Sequence, residues 1–131
     1  MRVFCTRCWT DADSGMQHCP ACGADLAWFD KLSYEDKLIR ALRHPVMDHQ
    51  LMAITVLGQQ RSERAVPYLC ALLASEDNVY VLREVLLALA RIGGPLSEAA
   101  LAAATGHRAR LVRQLAQELL IEGGHHSLAH R

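Results

Sequence analysis

The chain has 131 residues, of which 51% are hydrophobic and 5% aromatic, and its 14 basic side chains are balanced by 14 acidic ones. That length suits one ordinary domain, or a small module beside a modest one, with enough apolar content for a buried core. Zero net charge argues against a protein that works by neutralising many phosphates, and low aromatic content favours packed helices over a β-sandwich or barrel.

The sequence predicts neither a membrane span nor an export signal. No run of about 18 apolar residues is present, and the first residues lack the apolar stretch of a signal peptide. Five cysteines without such a signal are more typical of thiols or metal ligands than of disulfides. We therefore expect a cytoplasmic protein that makes no membrane contact.

Four of the five cysteines form two Cys-x-x-Cys pairs within the first 30 residues. This spacing lets one tight turn aim both sulfurs at a single point, and two such turns supply a tetrahedral Cys₄ shell that suits Zn²⁺. Gly23 follows the second pair and can adopt the positive φ that such a turn needs. We predict one structural zinc per chain, with these ligands: Cys5, Cys8, Cys19 and Cys22.

Other uses of the cysteines remain open at this point. Residues 19–23, Cys-Pro-Ala-Cys-Gly, resemble half of a rubredoxin iron site, although the ten-residue gap between the pairs is short for that fold. A single Cys-x-x-Cys can be a redox dithiol, whereas a matched pair is typical of a metal site. Residues 5–26 as a whole resemble the short zinc ribbons at the ends of many bacterial proteins, which implies metal binding but no particular function. His18 is expected to be a surface residue beside the ligands.

From residue 31 onward the sequence repeats with a period of 31 to 32 residues. Such a period, with two amphipathic helices per unit, is the signature of a solenoid. We predict three helix pairs at residues 33–43 with 46–60, 64–74 with 78–92, and 97–105 with 108–122.

Capping residues support these boundaries. Ser33 is expected to cap the first helix, Pro45 to take the first position of the second, and Asp77 or Asn78 to cap the fourth. Glycine pairs at residues 93–94 and 123–124 are expected to end the fourth and sixth helices.

The motif Leu57-Gly58, followed by Ala65-Val66-Pro67-x-Leu69, resembles the HEAT-like repeat associated with phycobilin lyases. Residues 88–93 are similar to it, with Ala in place of the usual Gly. This resemblance covers residues 33–122 and implies a right-handed α-solenoid whose second helices line a concave face. It also implies recognition more than catalysis. We therefore place a zinc ribbon at residues 1–30 and a HEAT-like repeat domain with a short C-terminal tail at residues 31–131.

The outward stripe of the fourth helix is our candidate partner-binding surface. Helical spacing puts aromatic, Leu and Arg side chains together on it, the types enriched at the centres of interfaces. Its predicted residues are Tyr80, Arg83, Leu87 and Arg91. We predict a non-catalytic adaptor for an unidentified protein partner, while an ordinary solvated helix face remains the alternative for this stripe.

Two other functions are weighed against the adaptor. Arg108, Arg110 and Arg113 form a small basic cluster that suggests nucleic acid, but residues 1–30 carry two arginines against four aspartates, which disfavours it. A bilin-lyase-like accessory role follows from the repeat resemblance alone. No phosphate loop, nucleophile elbow or His-Glu metal motif indicates an enzyme.

Two further groups of potentially reactive side chains are expected to have no chemical role. Cys70 lies on an apolar helical stripe, so we expect a buried, inert thiol. The histidines at 125, 126 and 130 are expected to belong to a frayed polar tail.

Overall fold

The computed structural model describes residues 2–13, 15–27 and 31–129. These residues form two short strands, then a series of helices. The elements are β1 (Arg2–Phe4), β2 (Asp11–Asp13), α1 (Tyr34–Ala41), α2 (Met47–Gln59), a 3₁₀ turn (Glu63–Ala65), α3 (Val66–Ser75), α4 (Val79–Ile92), α5 (Pro95–Ala104) and α6 (Arg110–Ala129).

The N-terminal ribbon has a small core of its own. β1 and β2 pair antiparallel with Val3 opposite Ala12, and Ala12 is buried. Around it lie two of the cysteines together with Ala24 and Leu26, and this cluster is separate from the main core of the helices. This small number of apolar side chains cannot stabilise a fold by itself. The ribbon therefore depends on a further source of stability.

Within the part of the chain that the structure describes, six α-helices form three pairs, α1 with α2, α3 with α4, and α5 with α6. The second helices stack most extensively, α2 on α4 and α4 on α6, while α3 and α5 contact each other less. α4 therefore lies at the centre, and one of its faces is fully buried from Val81 to Leu89. This mainly helical repeat architecture confirms the fold class predicted from the sequence.

A glycine sets the close approach of α2 to α4. A Cβ atom at Gly58 would lie 2.9 Å from both Cα and Cβ of Ala88, which is shorter than van der Waals contact allows. The equivalent position in the second repeat is Ala90, and in the third it is Ile121, which is exposed. A small residue is thus present where another second helix follows, and a large one stands at the end of the stack.

In each repeat, a side chain just before the second helix accepts a hydrogen bond from the backbone. The three acceptors are spaced by 32 and 31 residues, in register with the repeat. Each accepts from the backbone N–H two residues later at 3.0 Å: His44 Nδ1 from Val46, Glu76 Oε1 from Asn78, and His107 Nδ1 from Ala109. Neutral imidazoles bonded in this way carry their proton on Nε2. The sequence analysis missed this because histidine is not a common capping residue.

Most predicted helix ends lie within about two residues of the observed ones, but two expectations were wrong. Pro45 is not the first residue of α2, which begins at Met47, because the His44–Val46 turn precedes the helix. The last helix does not end at the glycine pair, since α6 continues to Ala129. Gly93, which ends α4, has a φ of +72°, whereas Gly123 does not adopt a positive φ and only weakens a helix that it does not break.

Candidate metal centre and interaction surface

The two Cys-x-x-Cys turns have the same backbone structure. In the first, the N–H of Cys5 donates to the carbonyl of Thr10 at 3.0 Å; in the second, the N–H of Cys19 donates to the carbonyl of Ala24 at 2.9 Å. The residue after each pair has a positive φ, +77° at Gly23 and +64° at Trp9. The sequence predicted this conformation for Gly23 but not for Trp9, because tryptophan rarely adopts it.

The turns bring all four predicted ligands together. The sulfurs of Cys5, Cys8, Cys19 and Cys22 lie within 4.8 Å of one another. Cys5 and Cys22 have sulfurs 3.6 Å apart, and the sulfurs of Cys8 and Cys19 are 3.5 Å apart. Disulfide sulfurs are about 2.0 Å apart, whereas Zn–S bonds of about 2.3 Å place the sulfurs of a tetrahedron about 3.8 Å apart. The four cysteines are therefore free thiols that could hold a metal ion.

The pKa values of Cys8 and Cys22 are shifted in opposite directions. Hydrogen bonds with the side chain and backbone of Thr10 lower the pKa of Cys8 to about 6. At Cys22 a backbone hydrogen bond from Ala24 acts in the lowering direction, but desolvation and the neighbouring sulfurs outweigh it and raise the pKa to about 11. Because a metal binds thiolates, its binding here would displace the proton of Cys22.

The ribbon contacts the helices through an aromatic cluster that sequence reasoning missed. The rings of Phe4 and Trp9 lie 4.6 Å and 4.8 Å from the ring of His44, which in turn stacks 4.5 Å from His49. His44 is only 6% exposed, and burial, together with the nearby His49, lowers its pKa. A hint in the sequence was that Phe4 and Trp9 directly flank two of the four cysteines.

The predicted stripe on α4 faces away from the core and borders a groove. Tyr80 is 73% exposed, Arg83 and Arg91 are exposed, and Leu87 is half-buried. Tyr80 and Arg83 line a groove of about 330 Å³ between α4 and α6, whose far wall includes the exposed Leu111. Leu87 and Arg91 lie further along α4, outside this groove.

The basic cluster at the start of α6 is largely committed to structural contacts. Arg108 forms an ion pair with Asp77, and Arg113 donates to the carbonyls of His107 and Arg108. Arg110 is exposed. The ion pair balances the charge of Arg108, whereas Arg110 and Arg113 keep theirs.

The other singled-out residues occupy unremarkable positions. Cys70 is half-buried against the core, and burial raises its pKa, so its thiol is not activated. His18 is exposed and bridges to Asp25 through the backbone. The positions of His125 and His126 lie within α6, whereas His130 lies outside the described residues.

Stacked helix pairs beside a four-cysteine ribbon define an α-solenoid of repeated helical hairpins. HEAT repeats match residues 35–121, so the chain belongs to the HEAT-repeat family. The match does not extend to the narrower phycobilin-lyase group. No curated protein matches the chain. Among the described residues, no helix has both the length and the apolar composition needed to cross a bilayer.

Proposed function

We propose that this protein is a non-catalytic, cytoplasmic interaction scaffold that binds a protein partner through the exposed face of its second helices. The observation that carries the proposal is the groove between α4 and α6, where Tyr80 and Leu111 expose apolar surface beside Arg83. HEAT repeats are generally recognition surfaces, and exposed aromatic and arginine side chains on a rigid helix are good anchors. The binding stripe consists of Tyr80, Arg83, Leu87 and Arg91.

The ribbon's part in this function is structural, and the metal proposed for it is zinc. Four thiolates around one point match the preference of Zn²⁺ and leave no coordination position for a water molecule. Zinc bound here would supply the stability that the ribbon's own small core lacks. The free, closely spaced thiols also fit a reducing compartment.

Site-specific photo-crosslinking tests the binding face. A photoreactive amino acid is placed at Tyr80 and, as a matched control, at Leu96 on α5, where the side chains are 73% and 64% exposed. The same protein should be captured from native lysate at position 80 and not at position 96. Tyr80→Ala and Arg83→Ala should then each weaken binding of that purified partner by about 2 kcal/mol, roughly thirty-fold. Capture at position 96 alone, or full affinity in both alanine variants with the fold retained, would contradict the proposal.

The alternatives have less support. Nucleic-acid binding at the start of α6 is disfavoured because Asp77 balances the charge of Arg108, which leaves a small cluster of Arg110 and Arg113. A bilin-lyase-like role is supported by the likeness of the repeat motif alone.

A further inference from the structure

A second candidate site lies where the ribbon meets the helices. A cleft of about 560 Å³ opens between the first cysteine turn, α1 and α3. We call it the junction cleft, and its principal side chains are Arg7, Trp9, Arg40, Arg43, Arg64 and Tyr68. Its volume is within the range of ordinary ligand sites.

The junction cleft is strongly basic, although the whole chain is neutral. Four guanidinium groups line it, against the single carboxylate of Asp36. Arg64 is held by Glu35 and Asp36 at 2.5 Å. In contrast, Arg7 and Arg43 are exposed, and their side chains form no ion pair or hydrogen bond with any residue the structure describes. At least two cations in the cleft are therefore available to an incoming anion.

Apolar surface lies beside these charges. Leu42 and Leu72 are buried beneath the cleft and Ile39 is half-buried, while the ring of Tyr68 is 55% exposed at its edge. A simple inorganic anion would use the guanidinium groups but leave Ile39 and the ring of Tyr68 in contact with water. The complementary ligand has an apolar side chain flanked by negative charges.

We propose that the junction cleft binds a short peptide segment in which acidic residues flank an apolar one. Carboxylates form bidentate pairs with arginine, and the apolar side chain covers Ile39 and the ring of Tyr68. A long polyanion would use the guanidinium groups alone, whereas the peptide also covers the apolar surface of Ile39 and Tyr68. This site is separate from the α4–α6 groove and does not depend on the proposed function of that groove.

Fluorescence anisotropy with the intact, zinc-loaded chain tests the proposal. The probe is a labelled peptide of alternating glutamate and leucine, compared with versions in which lysine replaces glutamate or serine replaces leucine. We expect saturable binding of the glutamate–leucine peptide, weaker binding of the serine version, and none of the lysine version. Arg7→Glu and Arg43→Glu should each weaken binding about tenfold, because a favourable charge pair becomes a repulsive one.

Arg110→Glu is the matched control, since Arg110 is an exposed arginine outside the cleft. It should bind the peptide as the wild type does, and unchanged circular dichroism and metal content verify the fold of all three variants. The proposal is overturned if no peptide binds saturably, or if Arg7→Glu and Arg43→Glu bind with wild-type affinity. An equal loss in Arg110→Glu would reveal a general charge effect and also overturn it. Displacement of the peptide by an oligonucleotide of equal charge would instead assign the cleft to nucleic acid.

Discussion

At the residue scale, Gly23 and Trp9 occupy equivalent positions in the two cysteine turns, and both adopt a positive φ for different reasons. Each cysteine turn needs a positive φ after its second cysteine, and this conformation costs an ordinary residue about 1 kcal/mol. Gly23 adopts it freely, whereas Trp9 adopts it at +64° while its ring packs 4.8 Å from the ring of His44. The packing of the Trp9 ring on His44 thus offsets the free-energy cost of its positive φ, and the same contact joins the ribbon to the helices.

Gly23→Ala should weaken metal binding by the ribbon. A Cβ atom at this position meets no neighbour within 4 Å, so the expected cost is backbone strain alone. We expect a loss of about 1 kcal/mol, roughly a fivefold increase in the zinc dissociation constant measured by competition with a chelator. Gly15→Ala is the control, because Gly15 also has open space but no positive φ. Equal affinities for the two variants would show that the turn does not require glycine.

At the scale of elements, periodicity predicted the number and order of helices but not how closely they pack. Apolar spacing reports which face of a helix is buried, and this was sufficient for six helices in three pairs. It does not report the distance between two helices, which at α2 and α4 is set by the missing side chain of Gly58 against Ala88. Nor does it distinguish a glycine that ends a helix from one inside it, which is why Gly123 was misread.

Gly58→Ala and Gly123→Ala should therefore change stability in opposite directions. At Gly58 the added methyl group would overlap Ala88, and overpacking costs more than the helix propensity gained, for a net loss of about 1 kcal/mol. At Gly123 the methyl group meets nothing within 4 Å, so the helix should gain roughly 0.5 kcal/mol. Thermal unfolding followed by circular dichroism measures both, with a decrease of about 5 °C expected for Gly58→Ala. Stabilisation by both substitutions would mean that α2 and α4 are not in close contact.

At the scale of the whole molecule, the clustering of the four cysteines could be predicted from the sequence, but the junction between the ribbon and the helices could not. The spacing of four cysteines is local information that a tight turn converts directly into geometry. The junction cleft combines Arg7, Arg43 and Tyr68, which are far apart in the sequence and follow no shared pattern. Only the docking of Phe4 and Trp9 on His44 brings these parts of the surface together.

Metal removal should unfold the ribbon, leave the helices folded and change the titration of His44. We expect one zinc per chain by elemental analysis, lost in Cys19→Ser but retained in Cys70→Ser, because Cys70 lies among the helices. The separate cores predict that Cys19→Ser keeps most of the helical circular dichroism signal.

Without the folded ribbon, His44 loses its cover of Phe4 and Trp9, so its lowered pKa should rise toward the ordinary value of about 6.5. By linkage, docking is most favourable above about pH 6.5, where His44 is neutral in both states. It weakens as the pH falls toward the lower pKa of the docked state, because the undocked histidine takes up a proton first. NMR titration of the histidine ring, assigned with a His44→Gln variant, measures the change. An unchanged His44 pKa in metal-free protein would mean that the ribbon stays folded and docked without its metal. Detection of iron with a visible absorption band would mean that the bound metal is iron and not zinc.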